Sequence, residues 1–414
     1  MSFENHRRQL MELIEDGSIV LSFAGLAHHN NEDSYAPFTV NSQFFYLTGL
    51  KREKMALLLM KQGETKKEIL FIEEWNPDIE RWTGKMPTKE DVTKVSGVTD
   101  VRFVDSFWDT VGRMMNYGAF VDHAYMDLSK DGFSELSDYN FLMAEKFMKC
   151  FPQVKMHDLH RVCMPLRQTK DADEVEDIKK AIEITDNSLQ LVMSILKPGL
   201  MEYQVQAAFE YACKKQGATE LAFDTIAGSG INGCMMHYEE NSSMVKEDGL
   251  ILLDLGAKYN HYSADITRTY PVSGKYSERQ RAYYDLVLAA NKAVIEAAKP
   301  GLTLNDLQEI AKKVLAEGLI RMGKIEKEED VTKYYMHSVS HSLGIDTHDI
   351  ELRTEKLMPG WVITDEPGLY IDEEEIGIRI EDDVIITATG SRFCGDKVIP
   401  YHVDELEEYM ANRK

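Results

Sequence analysis

The chain has 414 residues, of which 70 are acidic and 47 basic, so its formal net charge is -23. Hydrophobic residues make up 43% of the chain and charged residues 28%, which are globular proportions that exclude disordered and fibrous classes. The surplus of carboxylates excludes a general nucleic-acid or anionic-membrane binder, because the field of such a protein repels phosphate.

The first part of the chain mixes short helix and strand patterns. Helical periodicity runs through residues 6–15 and is present again in residues 143–148. Residues 55–60 and 68–72 are short apolar runs between charged turns, which are typical of buried strands. We therefore predict a small α/β domain, whose sheet order the periodicity leaves open.

The pattern changes near Pro165, after which long amphipathic helices begin. A length of 414 residues also favours two or three domains. We predict an N-terminal domain over residues 1–165 and a second domain over residues 166–414.

The second part of the chain contains one helical pattern twice. Asp171 and Ser277 are each followed three residues later by a glutamate or glutamine, which is a capping box. The helix that each one opens ends at the motif Lys-Pro-Gly-Leu, which occurs at residues 197–200 and again at 299–302, an offset of 102 residues. A second helix follows each stop, which suggests an internal duplication. The predicted helices cover residues 172–196, 202–216, 278–298 and 304–322.

Two aspartates lie in the strands predicted for the first copy. Asp254 interrupts the apolar run over residues 250–255, and Asp265 lies in the next predicted strand. A hairpin folded midway between them, at Tyr259 and Asn260, would set the two carboxylates opposite each other. Two uncompensated carboxylates repel and lose hydration, so a cation between them would make the arrangement tolerable.

The second copy repeats this arrangement of acids. Glu366 follows the strand predicted over residues 361–364, and Glu381 lies in the strand-rich segment 376–387. The midpoint between the two glutamates falls inside the acidic run over residues 373–375. An acid in one strand would again face an acid in the next.

Histidines precede both acidic hairpins. His237 precedes the first, and His341 precedes the second, 104 residues later, with His337 and His348 beside it in the chain. Four carboxylates and one imidazole suit one or two divalent ions such as Mn²⁺, Co²⁺ or Zn²⁺. A site without thiolates favours the harder ions, so Mn²⁺ is predicted first.

Each of these features alone has an ordinary structural explanation. An aspartate in an apolar strand is usually a turn or edge residue. His337 and His341 are spaced as in a zinc helix but lack the glutamate that follows the first histidine there. Arg379 points to the same strand face as Glu381, where it either holds a carboxylate or balances charge. We favour the metal site because two acidic hairpins and a histidine cluster occur together.

These motifs resemble the pita-bread metallopeptidases, and within them the aminopeptidase P and proline dipeptidase family. The resemblance implies an α/β (α+β) fold, in which a C-terminal pita-bread catalytic domain with an internal pseudo-twofold repeat follows a smaller α/β N-terminal domain. The matching segments occur in the order and spacing of the family, and they are residues 253–257, 263–270, 337–349, 366–370 and 377–382.

The N-terminal part is also similar to this family. Residues 41–49 are similar to a characteristic segment of its N-terminal domain, which methionine aminopeptidases lack. Residues 80–84, with Trp82, resemble a loop that in some members reaches the active site of a neighbouring subunit. Lys85 and Met86 stand where the aminopeptidases often have an arginine pair. The resemblance implies a homo-oligomer, either a dimer or a tetramer.

The resemblance further implies a role for each acidic residue. Asp254 would chelate one metal ion, and Asp265 and Glu381 would bridge two. His341 and Glu366 would complete the coordination of the second ion. A water or hydroxide between the ions would attack the carbonyl of the Xaa-Pro bond, with Glu366 as the proton shuttle.

Four further residues would surround the reacting bond according to the same resemblance. His237 and His348 would steady the substrate and the tetrahedral oxyanion. His337 would line the proline side of the site, and Arg379 would anchor the bridging carboxylates. Asp365 departs from the family pattern, since an apolar residue commonly precedes the glutamate that corresponds to Glu366.

The predicted function is that of a Xaa-Pro aminopeptidase, a hydrolase that removes the first residue from a peptide with proline at the second position. The segment over residues 44–46 and the Trp82 loop favour it over a Xaa-Pro dipeptidase, which must close the site beyond the proline and bind a carboxylate. A non-catalytic pita-bread binding module and a metal-independent hydrolase of the creatinase type are further alternatives. Both should lack part of the ligand set, which is complete here.

The five cysteines are dispersed and form no Cys-x-x-Cys pair, which indicates a reducing compartment. Residues 1–19 contain no apolar leader segment. The apolar runs fall far short of the ~20 residues of a membrane span. We predict a cytoplasmic protein that has no membrane or nucleic-acid partner.

Overall fold

The structure is a computed structural model that describes residues 3–118, 120–129, 138–396 and 399–412. It divides into two compact units, residues 1–167 and 168–414. Each unit is described by itself.

The N-terminal unit combines seven α-helices with eight strands in its described residues. The helices are α1 (Phe3–Leu13), α2 (Ser42–Thr48), α3 (Pro77–Thr83), α4 (Lys89–Ser96), α5 (Phe107–Arg113), α6 (Tyr139–Cys150) and α7 (Leu159–Gln168). The strands are β1 (Ser18–Phe23), β2 (His29–Asn31), β3 (Ser34–Tyr35), β4 (Ala56–Gln62), β5 (Thr65–Ile72), β6 (Asp100–Phe103), β7 (His123–Met126) and β8 (Lys155–Asp158).

Six of these strands form one mixed sheet in the order β6-β5-β4-β1-β7-β8. The three central strands pair antiparallel, and the outer strands pair parallel. Apolar side chains such as Ile19, Leu58 and Phe71 are fully buried, and Phe107 of α5 packs against them. The predicted helices near the start of the chain and at residues 143–148, and both predicted strands, are confirmed.

The C-terminal unit contains the longer helices. They are α8 (Ala172–Ile195), α9 (Glu202–Lys215), α10 (Glu278–Ala297), α11 (Leu304–Arg321) and α12 (Val403–Asn412). Its strands are β9 (Glu220–Leu221), β10 (Ile226–Ser229), β11 (Leu250–Leu255), β12 (Ala257–Tyr259), β13 (Tyr262–Ser263), β14 (Ile266–Pro271), β15 (Val362–Asp365), β16 (Gly368–Ile371), β17 (Ile376–Arg379), β18 (Asp382–Ile386) and β19 (Ser391–Phe393). Across the ranges given above, none of the helices has the length and apolar character needed to cross a membrane.

The four long helices predicted from the sequence are confirmed. Asp171, Ser277 and Thr303 each cap a helix with a reciprocal capping box, in which the side chain of the third helical residue also accepts from the N-cap backbone. These caps satisfy backbone donors that would otherwise lack a partner, so the helices begin where the sequence places them.

The internal duplication extends to the contacts of the two Lys-Pro-Gly-Leu motifs. Gly199 donates its backbone N–H to Val245 O at 2.9 Å, and Val245 N–H donates to Leu200 O. In the second copy, Gly301 donates to Leu357 O at 3.2 Å, and the N–H of Leu357 returns a bond to the residue after Gly301. The same connection between helix and strand region is therefore built twice.

The second acidic hairpin folds about the predicted midpoint. β16 and β17 pair with Gly368 opposite Arg379, and the turn lies over residues 372–375. Continuing this register, β15 and β18 pair with Asp365 opposite Asp382. Glu366 and Glu381 consequently lie opposite each other in this register, at the junction between the two strand pairs.

The predicted register of the first hairpin is wrong, because its turn is centred one residue later in the chain than predicted. The chain reverses at Asn260 and His261, both of which have positive φ, as a two-residue hairpin turn requires. Asp254 is therefore opposite Thr267 rather than Asp265. Asp265 and Thr267 are two residues apart, so both carboxylates can still face one cavity.

Candidate active site

The C-terminal unit contains a cavity of about 380 Å³ that is lined almost entirely by polar and charged residues. All nine residues that the sequence indicated as site residues line it. They are His237, Asp254, Asp265, His337, His341, His348, Glu366, Arg379 and Glu381.

The cavity lies where the two copies of the internal repeat meet. Glu381 of the second copy donates its backbone N–H to Thr267 O of the first at 3.1 Å, and the Thr267 hydroxyl donates to Glu381 Oε2 at 2.5 Å. Arg379 N–H donates to the hydroxyl of Thr269 at 3.2 Å. Because these bonds join the strands of both copies, acids that are more than a hundred residues apart in sequence come together.

Carboxylate oxygens and one imidazole nitrogen converge inside the cavity. The ligand atoms of Asp265, His341 and Glu381 lie within 4.8 Å of one another. His341 Nε2 is 3.5 Å from Asp265 Oδ2 and 3.6 Å from Glu366 Oε1. His341 Nδ1 donates to the carbonyl of Ser342 at 3.0 Å, which leaves the Nε2 lone pair directed at the acids.

Burial makes these acids reluctant to ionise. It raises the pKa of Asp265 well above the ordinary value, and the neighbouring Asp254 raises it further. Burial also raises the pKa of Glu381, with Asp265 as the next cause, and that of Glu366. Crowded carboxylates in a medium of low dielectric constant repel each other, and a bound cation would reverse this shift.

The donor set fits divalent metal ions. Asp254 Oδ1 is buried and, among the described residues, has no hydrogen-bond partner, whereas its Oδ2 accepts from Arg379. Four carboxylates exceed the charge that the buried Arg379 can balance. Oxygen and imidazole ligands without thiolates are the set that Mn²⁺, Co²⁺ and Zn²⁺ accept.

A hydrogen-bond chain runs from Arg379 to His337 along one wall. Arg379 Nη1 donates to the Tyr370 hydroxyl at 2.9 Å, and that hydroxyl lies 2.8 Å from His337 Nε2. His337 Nδ1 donates to the carbonyl of Ser338 at 2.8 Å, so Nε2 accepts from Tyr370. Burial, and then the charge of Arg379, lower the pKa of His337 to about 3, which keeps the ring neutral.

Two histidines flank the acidic cluster. The His348 ring lies 4.4 Å from the His341 ring, centre to centre, in an edge-to-face arrangement. Burial, and then the neighbouring His341, lower the pKa of His348 to about 4, so this imidazole is neutral near pH 7. His237 is exposed and lies on the cavity wall. Both can offer N–H groups to a substrate oxygen.

Sequence reasoning missed several side chains that line the cavity or bond to residues that do. Thr267 accepts from Arg379 Nε at 3.1 Å while it donates to Glu381. Alternation along the strand from Asp265 could have indicated it. Tyr370 lies in a matched motif but was not assigned a role. Glu351 and Arg353 also line the cavity, and no sequence signal pointed to them, since they follow the histidine segment in an irregular loop.

Asp365, the departure from the family pattern, is buried, and neither of its carboxyl oxygens has a hydrogen-bond partner among the described residues. Burial raises its pKa well above the ordinary value, and Asp382 opposite it, together with Glu366, raises it further. The neutral acid is therefore favoured. Asp365 thus adds little negative charge to the field around the neighbouring Glu366.

Two family models match the chain. The model described as metallopeptidase family M24 matches residues 176–388, and the model described as the aminopeptidase P N-terminal domain matches residues 3–121. The two domain types predicted from the sequence, a pita-bread domain after a smaller α/β domain, are thereby confirmed.

Individual proteins are similar over nearly the whole chain. The Xaa-Pro aminopeptidase of Escherichia coli strain K12 is 30% identical over 434 residues, which cover 99% of this chain and 97% of that protein. A solved structure of a presumed aminopeptidase P from Bacillus anthracis is 39% identical, with a TM-score of 0.96 and 99% and 98% of the two chains covered. The Xaa-Pro dipeptidase of Pyrococcus furiosus is 36% identical, but over only 61% of this chain and 70% of that protein. The chain therefore belongs to metallopeptidase family M24 and, within it, to the aminopeptidase P family.

Proposed function

We propose that the protein is a Xaa-Pro aminopeptidase that hydrolyses the bond between an N-terminal residue and a following proline. The observation that carries this proposal is the group of four carboxylates and His341 around one cavity. The near end-to-end similarity to the Escherichia coli aminopeptidase supports it. The substrate is a peptide with proline at its second position.

As a metallopeptidase the protein uses divalent metal ions. We propose that two ions bind, with Mn²⁺ preferred and Co²⁺ or Zn²⁺ accepted. When bound, such ions polarise a carbonyl group and lower the pKa of a water molecule. The proposed ligands are Asp254, Asp265, His341, Glu366 and Glu381.

Glu366 is proposed as the group that moves the proton. Its Oε1 lies 3.4 Å from the Thr364 hydroxyl, which can donate to it, and its Oε2 lies 3.4 Å from His337 Nδ1. Burial raises the pKa of Glu366. A carboxyl with a raised pKa can hold a proton taken from water and deliver it to the leaving nitrogen.

Two histidines are proposed to orient the substrate. His348 and His237 would donate N–H groups to the oxygen on which negative charge develops. His337, held by Tyr370, would border the proline ring. Arg379 would bind no substrate atom; it balances the charge of Asp254 and Glu381 and holds Tyr370 in place.

Peptide length tests the proposal. Metal-loaded enzyme is expected to release alanine from Ala-Pro-Ala and to cleave the dipeptide Ala-Pro at least about tenfold more slowly, because an aminopeptidase gains binding energy from residues beyond the proline. Release of alanine is measured by chromatography at matched concentrations. The control peptide Ala-Ala-Ala should remain intact. If both proline peptides survive, the proposed peptidase activity is wrong.

Arg353 favours a second candidate, the Xaa-Pro dipeptidase. Its guanidinium lies on the cavity wall, where it donates to Ser340 O at 2.9 Å and lies 3.2 Å from Glu351 Oε1. A cation there could bind the free carboxylate of a dipeptide. In that case Arg353→Met would raise KM for Ala-Pro and leave hydrolysis of Ala-Pro-Ala nearly unchanged, and wild type would prefer the dipeptide.

We further propose that the protein forms a homodimer or homotetramer. Trp82 of α3 is 88% exposed, and Trp75 just before that helix is 59% exposed. Large exposed aromatic side chains commonly mark interfaces. Light scattering is expected to give a multiple of the 47.3 kDa chain mass. Trp82→Ala should shift the protein towards monomer or lower its activity, and a monomeric, fully active wild type would contradict the proposal.

The remaining parts of the proposal concern organisation and location. Residues 1–165 would form the N-terminal domain and residues 166–414 the catalytic domain. We place the protein in the cytoplasm, in keeping with cysteines that are all free.

A further inference from the structure

A buried carboxylate that the proposed chemistry does not use lies at the first residue of α9. Glu202 has no exposed surface. Burial of an ionised carboxylate is costly unless hydrogen bonds replace its water. Such a group is retained in a folded structure only where it organises its neighbours or acts on a ligand.

Five groups in the described part of the chain donate to the Glu202 carboxylate, and all of them come from one segment, residues 229–243. Ser229 donates both its N–H and its hydroxyl to Oε1 at 2.7 Å, and Asn232 Nδ2 donates at 3.1 Å. The Tyr238 hydroxyl and the N–H of Ser243 donate to Oε2 at 2.9 and 2.8 Å. The two oxygens of one carboxylate therefore hold the beginning, the middle and the end of this segment.

The segment carries His237 on the cavity wall. Tyr238, the next residue, is 7% exposed, whereas His237 is exposed. Since the Tyr238 ring is anchored inward by Glu202, the backbone at this point directs His237 towards the cavity. Asn241 makes a second tie, because its side chain bonds Ala227 N–H, Thr225 O and Gln206 of α9.

The segment also has little room to shift. A Cβ on Gly377 of β17 would lie 1.9 Å from Gly233 O, so the two backbones are in direct contact. A Cβ on Gly228 would lie 2.8 Å from Asn232 O. A change in the bonds to Glu202 would therefore be transmitted to His237 rather than absorbed by empty space.

We propose that Glu202 is a positioning residue that holds His237 in place for the reaction through Tyr238. The proposal rests on the proposed function, since it gives His237 a part in substrate binding. Glu202 touches no substrate itself. Its one carboxyl group, at a helix N-terminus, makes the contacts that fix this fifteen-residue segment.

A double-mutant cycle tests this coupling. Glu202→Gln keeps the shape but turns one acceptor into a donor that faces other donors. It is expected to lower kcat/KM for Ala-Pro-Ala about 10- to 100-fold, mainly through kcat. In a His237→Ala background the same change should alter kcat/KM by no more than about twofold. Equal losses in both backgrounds would overturn the proposal. Glu317→Gln, at an exposed position of α11, is the control and should have wild-type activity.

A spectroscopic readout separates this proposal from the proposed function. In metal-free protein with labelled histidines, the His237 ring resonance is identified by its loss in His237→Ala. In Glu202→Gln it should shift or broaden, while the His402 resonance stays unchanged. An unchanged His237 resonance would overturn the proposal, whether or not the protein cleaves peptides. If Glu202→Gln does not fold, Tyr238→Phe removes the bond from Tyr238 to Glu202 and the bonds between the Tyr238 hydroxyl and Ser242, and leaves the other donors to Glu202 in place. It should give a smaller loss of kcat/KM and the same change at His237.

Discussion

Asp265→Asn is expected to abolish peptidase activity while it leaves the fold intact. The loss of kcat/KM should exceed about 100-fold, because residues that only support a metal ligand already cost about 10- to 100-fold when they are replaced. An amide has the shape of the carboxyl group but lacks the charge that a bridging ligand needs. Hydrolysis of Ala-Pro-Ala and metal content per chain should be measured together.

The structure also predicts the effect of this change on stability. Burial and Asp254 raise the pKa of Asp265, so its charge opposes folding in the metal-free protein. Without metal, Asp265→Asn should therefore unfold at the same temperature as wild type or a higher one. Asp285→Asn on the surface of α10 is the matched control. A fully active Asp265→Asn enzyme would contradict the assignment of this residue as a ligand.

Removal of metal is expected to destabilise the protein most at high pH. Free metal at about 100 times its dissociation constant contributes roughly 2.7 kcal/mol. For a unit of this size that corresponds to about 5–10 °C in melting temperature. The stabilisation by metal, measured as the difference between samples with Mn²⁺ and with chelator, should be largest near pH 8 and small near pH 5.

The direction of this pH dependence follows from the raised pKa values of the buried acids. In the metal-free protein Asp265, Glu366 and Glu381 have pKa values above those of the unfolded chain, chiefly because of burial. Their contribution to stability is full below about pH 4 and is lost as the pH rises through the folded values. Metal binding displaces those protons, so metal binds more weakly in acid.

Two other acids make stability depend on pH in the opposite direction, and they limit the pH range in which the effect of metal should be measured. Hydrogen bonds from Lys324 and Arg279 lower the pKa of Glu373 and of Glu374, respectively, to about 2, so stability from these pairs is lost in stronger acid. Melting curves between pH 5 and 8 avoid that range. A stabilisation by metal that is the same at every pH would show that the clustered carboxylates are not the ligands.

The helices and the second hairpin could be predicted from the sequence because neighbouring residues determine where they begin and end. Capping residues such as Asp171 and Ser277 and the Lys-Pro-Gly-Leu stops determine where helices begin and end within a few residues of sequence. The hairpin around the acidic run over residues 373–375 was predictable for the same reason. The first hairpin was not, because Asn260 and His261 both adopt positive φ, and composition does not reveal which pair of residues will do so.

Sequence by itself determined the chemistry of this protein: which acids and imidazoles are present, in what order, and that two copies of one pattern carry them. Only the tertiary structure decided which hydrogen bonds join the side chains around the cavity and how their pKa values are shifted. The Thr267–Glu381 bonds, the Arg379–Tyr370–His337 chain and the Glu202 cluster all join residues far apart in the chain. Burial, which shifts the pKa values, is likewise a property of the assembled fold, since it depends on everything packed around a group and not on its neighbours in sequence.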